Sequence, residues 1–580
     1  MNMKRLLLSA TLLFTVTLLM GQTLSTPPAQ PVRTMAEWEE LQAVVITWNP
    51  GNNGVPWLNT LTEIARAARE ECKVIIVCKD QATVNSAQAF LTASGVVLTS
   101  NIEFLIASND SIWVRDYGPT CVYVNDVDSL LTVDWIYNRT RYLDDVVSEK
   151  LGQYLSLPVH TTTIAPYDLV NTGGNFMSDG MGTAFASKLI FRNNNQIADG
   201  EGSNPNDIFG TSDHTETSIN NIFQEYMGID RYIKMDELPY DGIHHIDMHM
   251  KLLDEETLMV GEYPANTSDG PQIEANLQYV LSNLKTSFGH DFKVVRIPMP
   301  TFNGQYPPLS PSALYPTYAN ALFVNRTVIM PKYNIASDAA AQDTFQKYLP
   351  GYKIVQVDCK SIIEKGGAVH CITKEIGVRD PLLITHSALP CQDNSLTTSY
   401  TVQANIQHRS GIAAATVFYT TELGGAWQSV AMQSVDDTSS THLWKASIPT
   451  QPKGSTVYYY IQADANSGKT LTRPMTAPDG YWSFCVEQSS ESAEPNMTLQ
   501  DVYPNPASAI TVIPVLVSKK TMAKISLLNL LGQSVETIFS GELPAGNSNH
   551  FFNASLYASG VYFVELQANG KTMTQKIVIR

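Results

Sequence analysis

Four times between residues 43 and 359 an apolar run, a helix-length segment and a second apolar run follow one another. The first unit is "AVVITWNP", a helix over 57–71 and "KVIIVCKD"; the second is "TAFASKLIF", a helix over 217–227 and "RYIKMDEL". The third is "TLMVGEYP", a helix over 272–284 and "FKVVRIPMP"; the fourth is "NALFVNRTVIMP", a helix over 339–349 and "YKIVQVDC". Short buried strands alternating with helices mean an α/β domain. A repeated unit of this kind cannot bury its own apolar faces alone, so the copies must pack on one another. The polar clusters "NDSIWVRDYGP", "GIHHIDMH" and "GGAVHC" each follow a second strand. Repeats set in a ring would bring those exits to one centre.

The pattern changes near Cys391. Residues 392–487 alternate apolar and polar positions between turns, with no helical period, which predicts a β-sandwich of immunoglobulin type. A polar linker over 488–499 follows, and residues 500–580 again read as all β. A chain of 580 residues is expected to form several domains. At the other end, Lys4 and Arg5 precede the largely apolar run Leu6–Met20, which ends at Gly21-Gln22. That run has the length and flanks of a signal peptide (residues 1–22) and is short for a membrane span, so an exported mature chain is expected. The formal charge of −17 argues against a nucleic-acid binder, which needs a basic face.

There are seven cysteines, at 72, 78, 121, 359, 371, 391 and 485, and none forms a CxxC pair. Zinc-ribbon chemistry is therefore not expected. An odd number leaves at least one thiol unpaired within a monomer; Cys391 and Cys485 bracket the sandwich segment and are a candidate disulfide. Cys371 stands alone, after His370 and the pair Gly366-Gly367. On a strand, His245, Asp247 and His249 would share one face. Spacing leaves three readings open there: a divalent-metal face, an acid/base His245 with Asp247 as substrate anchor, or a buried polar strand satisfied by its neighbours.

The motifs "DSIWVRDYGP", "TGGNFMSDG", "HIDMHMKLLDEE" and "HCITKE" together resemble those of the bacterial Porphyromonas-type peptidylarginine deiminases and the related agmatine deiminases. The resemblance covers residues 33–390. It implies a five-bladed α/β pentein propeller with the site on its axis. It further implies that Asp116 and Asp247 grip a guanidinium through charge-assisted hydrogen bonds, that Cys371 attacks its carbon, and that His245 moves protons. Asn320 matches a polar family residue beside the cysteine. No cofactor is implied for the chemistry; a structural calcium or sodium is allowed.

Substrate choice is the finer question. Arg139 and Arg141 in "YNRTR" resemble an Asn-Arg-Pro-Arg stretch whose arginines hold a substrate carboxylate, with Thr140 in place of the proline. The competing reading is an ion pair with Asp144 or Asp145. Trp113 could stack on the substrate or belong to the core. An arginine peptide, and C-terminal arginine in particular, is the expected substrate. The alternatives are agmatine, leading to putrescine synthesis, and an inactive binding protein on the same fold; a metallohydrolase is a minor fourth. Tyr503-Pro504-Asn505-Pro506, Leu531-Gly532-Gln533 and Gly560-Val561-Tyr562 resemble, in order, the motifs of a type IX secretion sorting domain. That resemblance implies a Bacteroidetes-like Gram-negative cell, the type IX machinery as partner and a secreted or surface location.

Overall fold

The computed structural model describes residues 21–51, 54–194, 211–312, 314–393, 399–435, 442–487, 497–503, 505–508, 510–568 and 570–580. The apolar run Leu6–Met20, residues 488–496 of the linker and Pro504 lie outside the described residues. No described helix is long and apolar enough to cross a membrane.

The repeat is a ββαβ unit, and it occurs in five sheets rather than four. In each, one strand pairs antiparallel with the next, which pairs parallel with a third beyond a helix. Met177–Ser178, Thr183–Ser187 and Arg231–Met235 form one such set. Met250–Leu252, Thr257–Glu262 and Lys293–Pro298 form another. Leu322–Val324, Thr327–Lys332 and Lys353–Asp358 form a third; the single run expected over 320–331 is a hairpin, turned at Asn325 with φ 51°. The unit missed in the sequence is Thr120–Val124, Leu130–Tyr137 and Val159–Thr162. Its main helix, Val147–Leu155, has only nine residues, and Asp134 interrupts the apolar run.

The remaining unit is closed from both ends of the domain. Leu41–Thr47 pairs parallel with Lys73–Cys78 and takes its antiparallel neighbour from Lys374–Gly377, more than 300 residues later. This closure carries the segment holding Cys371 to the start of the chain. The four expected helices are Val55–Ala68, Glu216–Met227, Gly270–Asn283 and Ser337–Tyr348.

One apolar core runs from Leu382 to Val486 and is shared by two sheets, and another runs from Val502 to Ile579. Burial alternates residue by residue along Ser399–Gln407, as a strand with one covered face requires. Cys391 and Cys485 form a disulfide. The Leu382–Val486 segment docks on the α/β units through Arg473, which donates to both carboxylate oxygens of Glu255 at 3.1 and 2.9 Å and lies over the Trp38 ring.

Gly228 tests the packing of the repeat. It ends helix Glu216–Met227 at φ +65°, and a Cβ there would stand 1.7 Å from the Val32 carbonyl oxygen. Gly228→Ala combines a left-handed backbone, costing about 1–2 kcal/mol, with a backbone clash. It should lower stability by at least ~2 kcal/mol in denaturant titrations followed by tryptophan fluorescence. Gly289→Ala, at φ +84° but in open space, should lose only about 1 kcal/mol.

Candidate active site

Residues from two other stretches of the chain converge on Gly174. This glycine sits in the 3₁₀ turn Gly173–Asn175. A Cβ added to it would meet His245 Nδ1 at 2.5 Å, Asp116 Oδ1 at 3.0 Å and Asp247 Oδ2 at 3.3 Å. Its N–H donates to Asp116 Oδ1 at 3.2 Å. Asp116 lies in the short helix Val114–Tyr117, held there by the Trp135 indole N–H on its carbonyl at 3.0 Å.

His245 and Asp247 do not sit on a strand. His245 caps the 3₁₀ turn Ile246–Met248, and His244 before it adopts φ +62°. The carboxylate of Asp241 fixes that approach by accepting from the Ile243 and His244 N–H groups at 3.0 and 3.1 Å. The turn breaks the expected alternation, so His245, Asp247 and His249 do not form one face. His249 is buried with neither ring nitrogen bonded among the described residues, and burial lowers it to about 4. No group of three or more His, Cys, Asp or Glu side chains that could hold a metal is found among the described residues.

Cys371 heads the other side of the site, in the 3₁₀ turn His370–Ile372. Its Sγ is 3.8 Å from Asp247 Oδ2 and receives a hydrogen bond from Asn320 Nδ2 at 3.2 Å. Asn320 Oδ1 accepts from the backbone N–H of His370 at 3.0 Å and of Cys371 at 3.4 Å, so one fully buried amide fixes both the turn and the sulfur. Gly367 makes the room. A Cβ there would be 3.0 Å from Cys371 Sγ and 2.5 Å from Trp113 Cζ3, which places the Trp113 ring beside the thiol.

Electrostatics follow from burial. Burial, then the negative charges of Asp247 and Asp116, push the Cys371 thiol well above the ordinary cysteine range. Burial also lowers His245, against the opposing pull of Asp116 and Asp247. Its Nε2 is buried without a partner among the described residues, while Nδ1 stands 3.6 Å from Asp116 Oδ1. Asp247 is held below the usual carboxylate range: burial opposes this, but the hydrogen bond and charge of His370 outweigh it.

Six of the eight residues picked from the sequence therefore meet: Cys371, His245, Asp116, Asp247, Asn320 and Trp113. Arg139 and Arg141 lie in the bend after Leu130–Tyr137 and bond locally, to the Asn138 carbonyl at 3.2 Å and to the Tyr137 hydroxyl at 3.1 Å. Among the described residues neither is paired with a carboxylate; Asp144 accepts instead from Asp110 N–H, Ser111 N–H and Ser111 Oγ, and Asp145 from Tyr137 N–H. The charge of Arg139 is nevertheless felt at His245, where it opposes protonation. The sequence motif "TGGNFMSDG" carried resemblance but no role for Gly174, and Glu37, Lys251 and His370 were given no part. Here His370 bonds Asp247 Oδ2 through Nδ1 at 2.7 Å and Glu37 Oε1 through Nε2 at 2.9 Å.

The cluster thus sets a buried thiol beside two carboxylates and an imidazole with one unpartnered nitrogen among the described residues. Residues 33–376 match the model of the Porphyromonas-type peptidyl-arginine deiminase family, and residues 501–580 match that of the secretion system C-terminal sorting domain. The chain belongs to the former family, hydrolases acting on guanidino C–N bonds, and carries a sorting tail. Proteins of Yersinia pestis and Shewanella baltica (strain OS223), each described as "Putative agmatine deiminase", are 25% and 26% identical to it over 378 and 380 residues. Those matches span 59% and 61% of this chain and 94% and 96% of the relatives. The solved agmatine deiminase of Enterococcus faecalis aligns with a TM-score of 0.50 at 22% identity, covering 60% of this chain and 97% of that one. At that identity the likeness shows the fold.

Two outcomes are expected. Gly174→Ala should fold normally yet lose at least about 10²-fold in kcat/KM, because its methyl would displace His245 and both carboxylates. Alkylation of resting Cys371 by neutral iodoacetamide should be slow at pH 7 and still rising at pH 9, since the raised thiol ionises late. An alkylator carrying an amidinium should react at least about tenfold faster at pH 7, because its charge offsets Asp116 and Asp247.

Proposed function

We propose that this protein is a secreted deiminase that converts the guanidinium of an arginine bearing a free carboxylate, at a peptide C-terminus, to a ureido group plus ammonia. The observation that carries the chemistry is the cradle at Gly174, where Asp116, Asp247 and His245 surround one point beside the Cys371 sulfur. A guanidinium is planar, and two carboxylates match its paired N–H groups.

The cation enters between Asp116 and Asp247 and relieves the charge that keeps the thiol protonated. Sγ bonds to the guanidinium carbon; its proton passes through His245 to the departing nitrogen, which leaves as ammonia. A thiouronium remains on Cys371. Water then attacks that carbon while His245 takes a proton, the C–S bond breaks, and the sulfur recovers a proton. One proton is released, and the ammonia takes it up as ammonium. Trp113 flanks the cation as an aromatic wall, and Asn320 holds the sulfur on line.

The carboxylate preference rests on Arg139 and Arg141, two guanidinium groups without an acidic partner among the described residues, one of them close enough to bias His245. Bidentate recognition of a carboxylate suits such a pair. In this reading the five units stand as blades of a propeller with the site on the axis. An immunoglobulin-like domain braces it, and the tail directs export through the type IX route.

Ammonia and ureido product are to be measured with agmatine, free arginine, a C-terminal-arginine peptide, its C-terminal amide, and a peptide with internal arginine. Turnover of the free-carboxylate peptide is expected, with none by Cys371→Ala. Arg139→Ala with Arg141→Ala should raise KM for that peptide by about 10-fold or more and leave agmatine unaffected. Turnover of agmatine alone would move the protein to the agmatine branch and make both arginines structural.

A further inference from the structure

We propose that Glu37 and His370 form a charge-setting pair that aims Asp247 at the substrate and biases the Cys371 sulfur toward its anion. The inference rests on the deiminase reading of Cys371 and is independent of the carboxylate preference.

His370 Nδ1 lies 2.7 Å from Asp247 Oδ2, and Nε2 lies 2.9 Å from Glu37 Oε1. An ionised carboxylate oxygen only accepts, so each ring nitrogen must donate and the ring carries both protons. The second Glu37 oxygen, Oε2, accepts from Lys251 Nζ at 2.5 Å. The result is a buried row of alternating charge: Lys251, Glu37, His370, Asp247. All four side chains are at most 14% exposed.

The row divides the labour of Asp247. Its Oδ2 is bound to His370, whereas its Oδ1 is buried with no partner among the described residues. That oxygen keeps its acceptor capacity, while Oδ2 is the one that faces the Gly174 cradle. The same Oδ2 is the atom 3.8 Å from Cys371 Sγ, so the imidazolium stands one carboxylate oxygen away from the sulfur. A cation there partly cancels the two anions that oppose thiolate formation. Glu37 Oε1 is the anionic acceptor that Nε2 faces.

The row also ties the loop holding Glu37 to strand Met250–Leu252, so a purely structural part must be separated from the electrostatic one. Glu37→Gln keeps size and a hydrogen bond to Nε2 but removes the charge; Glu37→Asp keeps the charge. In the full-length protein, Cys371 alkylation by iodoacetamide at pH 8 without substrate, located by peptide mass mapping, is the first readout. It should slow at least about fivefold in Glu37→Gln and return to within about twofold of wild type in Glu37→Asp. On the guanidine that wild type turns over best, kcat should fall about 10²-fold with KM nearly unchanged. An unchanged alkylation rate in folded Glu37→Gln would overturn the proposal. So would equal losses in both variants with lowered unfolding midpoints, which would make the row structural only. Should Glu37→Gln not fold, His370→Gln takes its place with the same expectation. If wild type turns over no guanidine, the deiminase reading fails, and the alkylation rates still decide the role of the pair.

Discussion

Two carboxylates buried beside a buried thiol set the terms for the rest of this fold. Asp116 and Asp247 are each less than a tenth exposed. Taking ionised groups out of water is costly unless each is paired or hydrogen-bonded. Asp247 is paired with His370, and Asp116 accepts from the Gly174 N–H. Nearby, Arg115 lies on Glu375 at 2.6 Å and donates to the His370 carbonyl at 3.2 Å, so its guanidinium holds the backbone of the residue preceding Cys371. On the proposed mechanism the two anions that would attract a guanidinium are the ones that oppose ionisation of the Cys371 thiol.

The units deliver short irregular turns rather than strands to this cluster. Gly173–Asn175, Ile246–Met248 and His370–Ile372 are all three-residue 3₁₀ turns. Turns of this length can aim consecutive side chains at one point, which a pleated strand cannot. The antiparallel pairing of Lys374–Gly377 with Leu41–Thr47 then brings the nucleophile's segment and Glu37 together from opposite ends of the domain.

Much of this was legible in the sequence, for reasons that differ by residue. The four long helices and their flanking strands declared themselves through apolar periodicity. The fifth unit did not, because its helix is short and its strand carries Asp134. The motif residues Cys371, His245, Asp116, Asp247 and Asn320 could be picked by resemblance, and all five meet. The strand expected for His245–His249 failed because period-2 spacing cannot distinguish a strand from a 3₁₀ turn with a left-handed residue before it. Glu37 lies 333 residues from its partner His370, and no local pattern encodes such a contact. Gly174 matters through the side chain it lacks; only the positions of His245 and both carboxylates reveal that.

The cysteines complete the picture for a chain with a sorting tail. A protein sent into an oxidising space needs its thiols either paired or inert. Cys391 and Cys485 are paired. Cys72, Cys78, Cys121 and Cys359 are buried, and desolvation pushes the first three up to about 12 and raises Cys359 as well. None of the four is then a useful nucleophile at neutral pH. Cys371 shares that raised state, but differs in lying beside Asp116, Asp247 and His245, so on the proposed mechanism its reactivity would wait on a cation that offsets those charges.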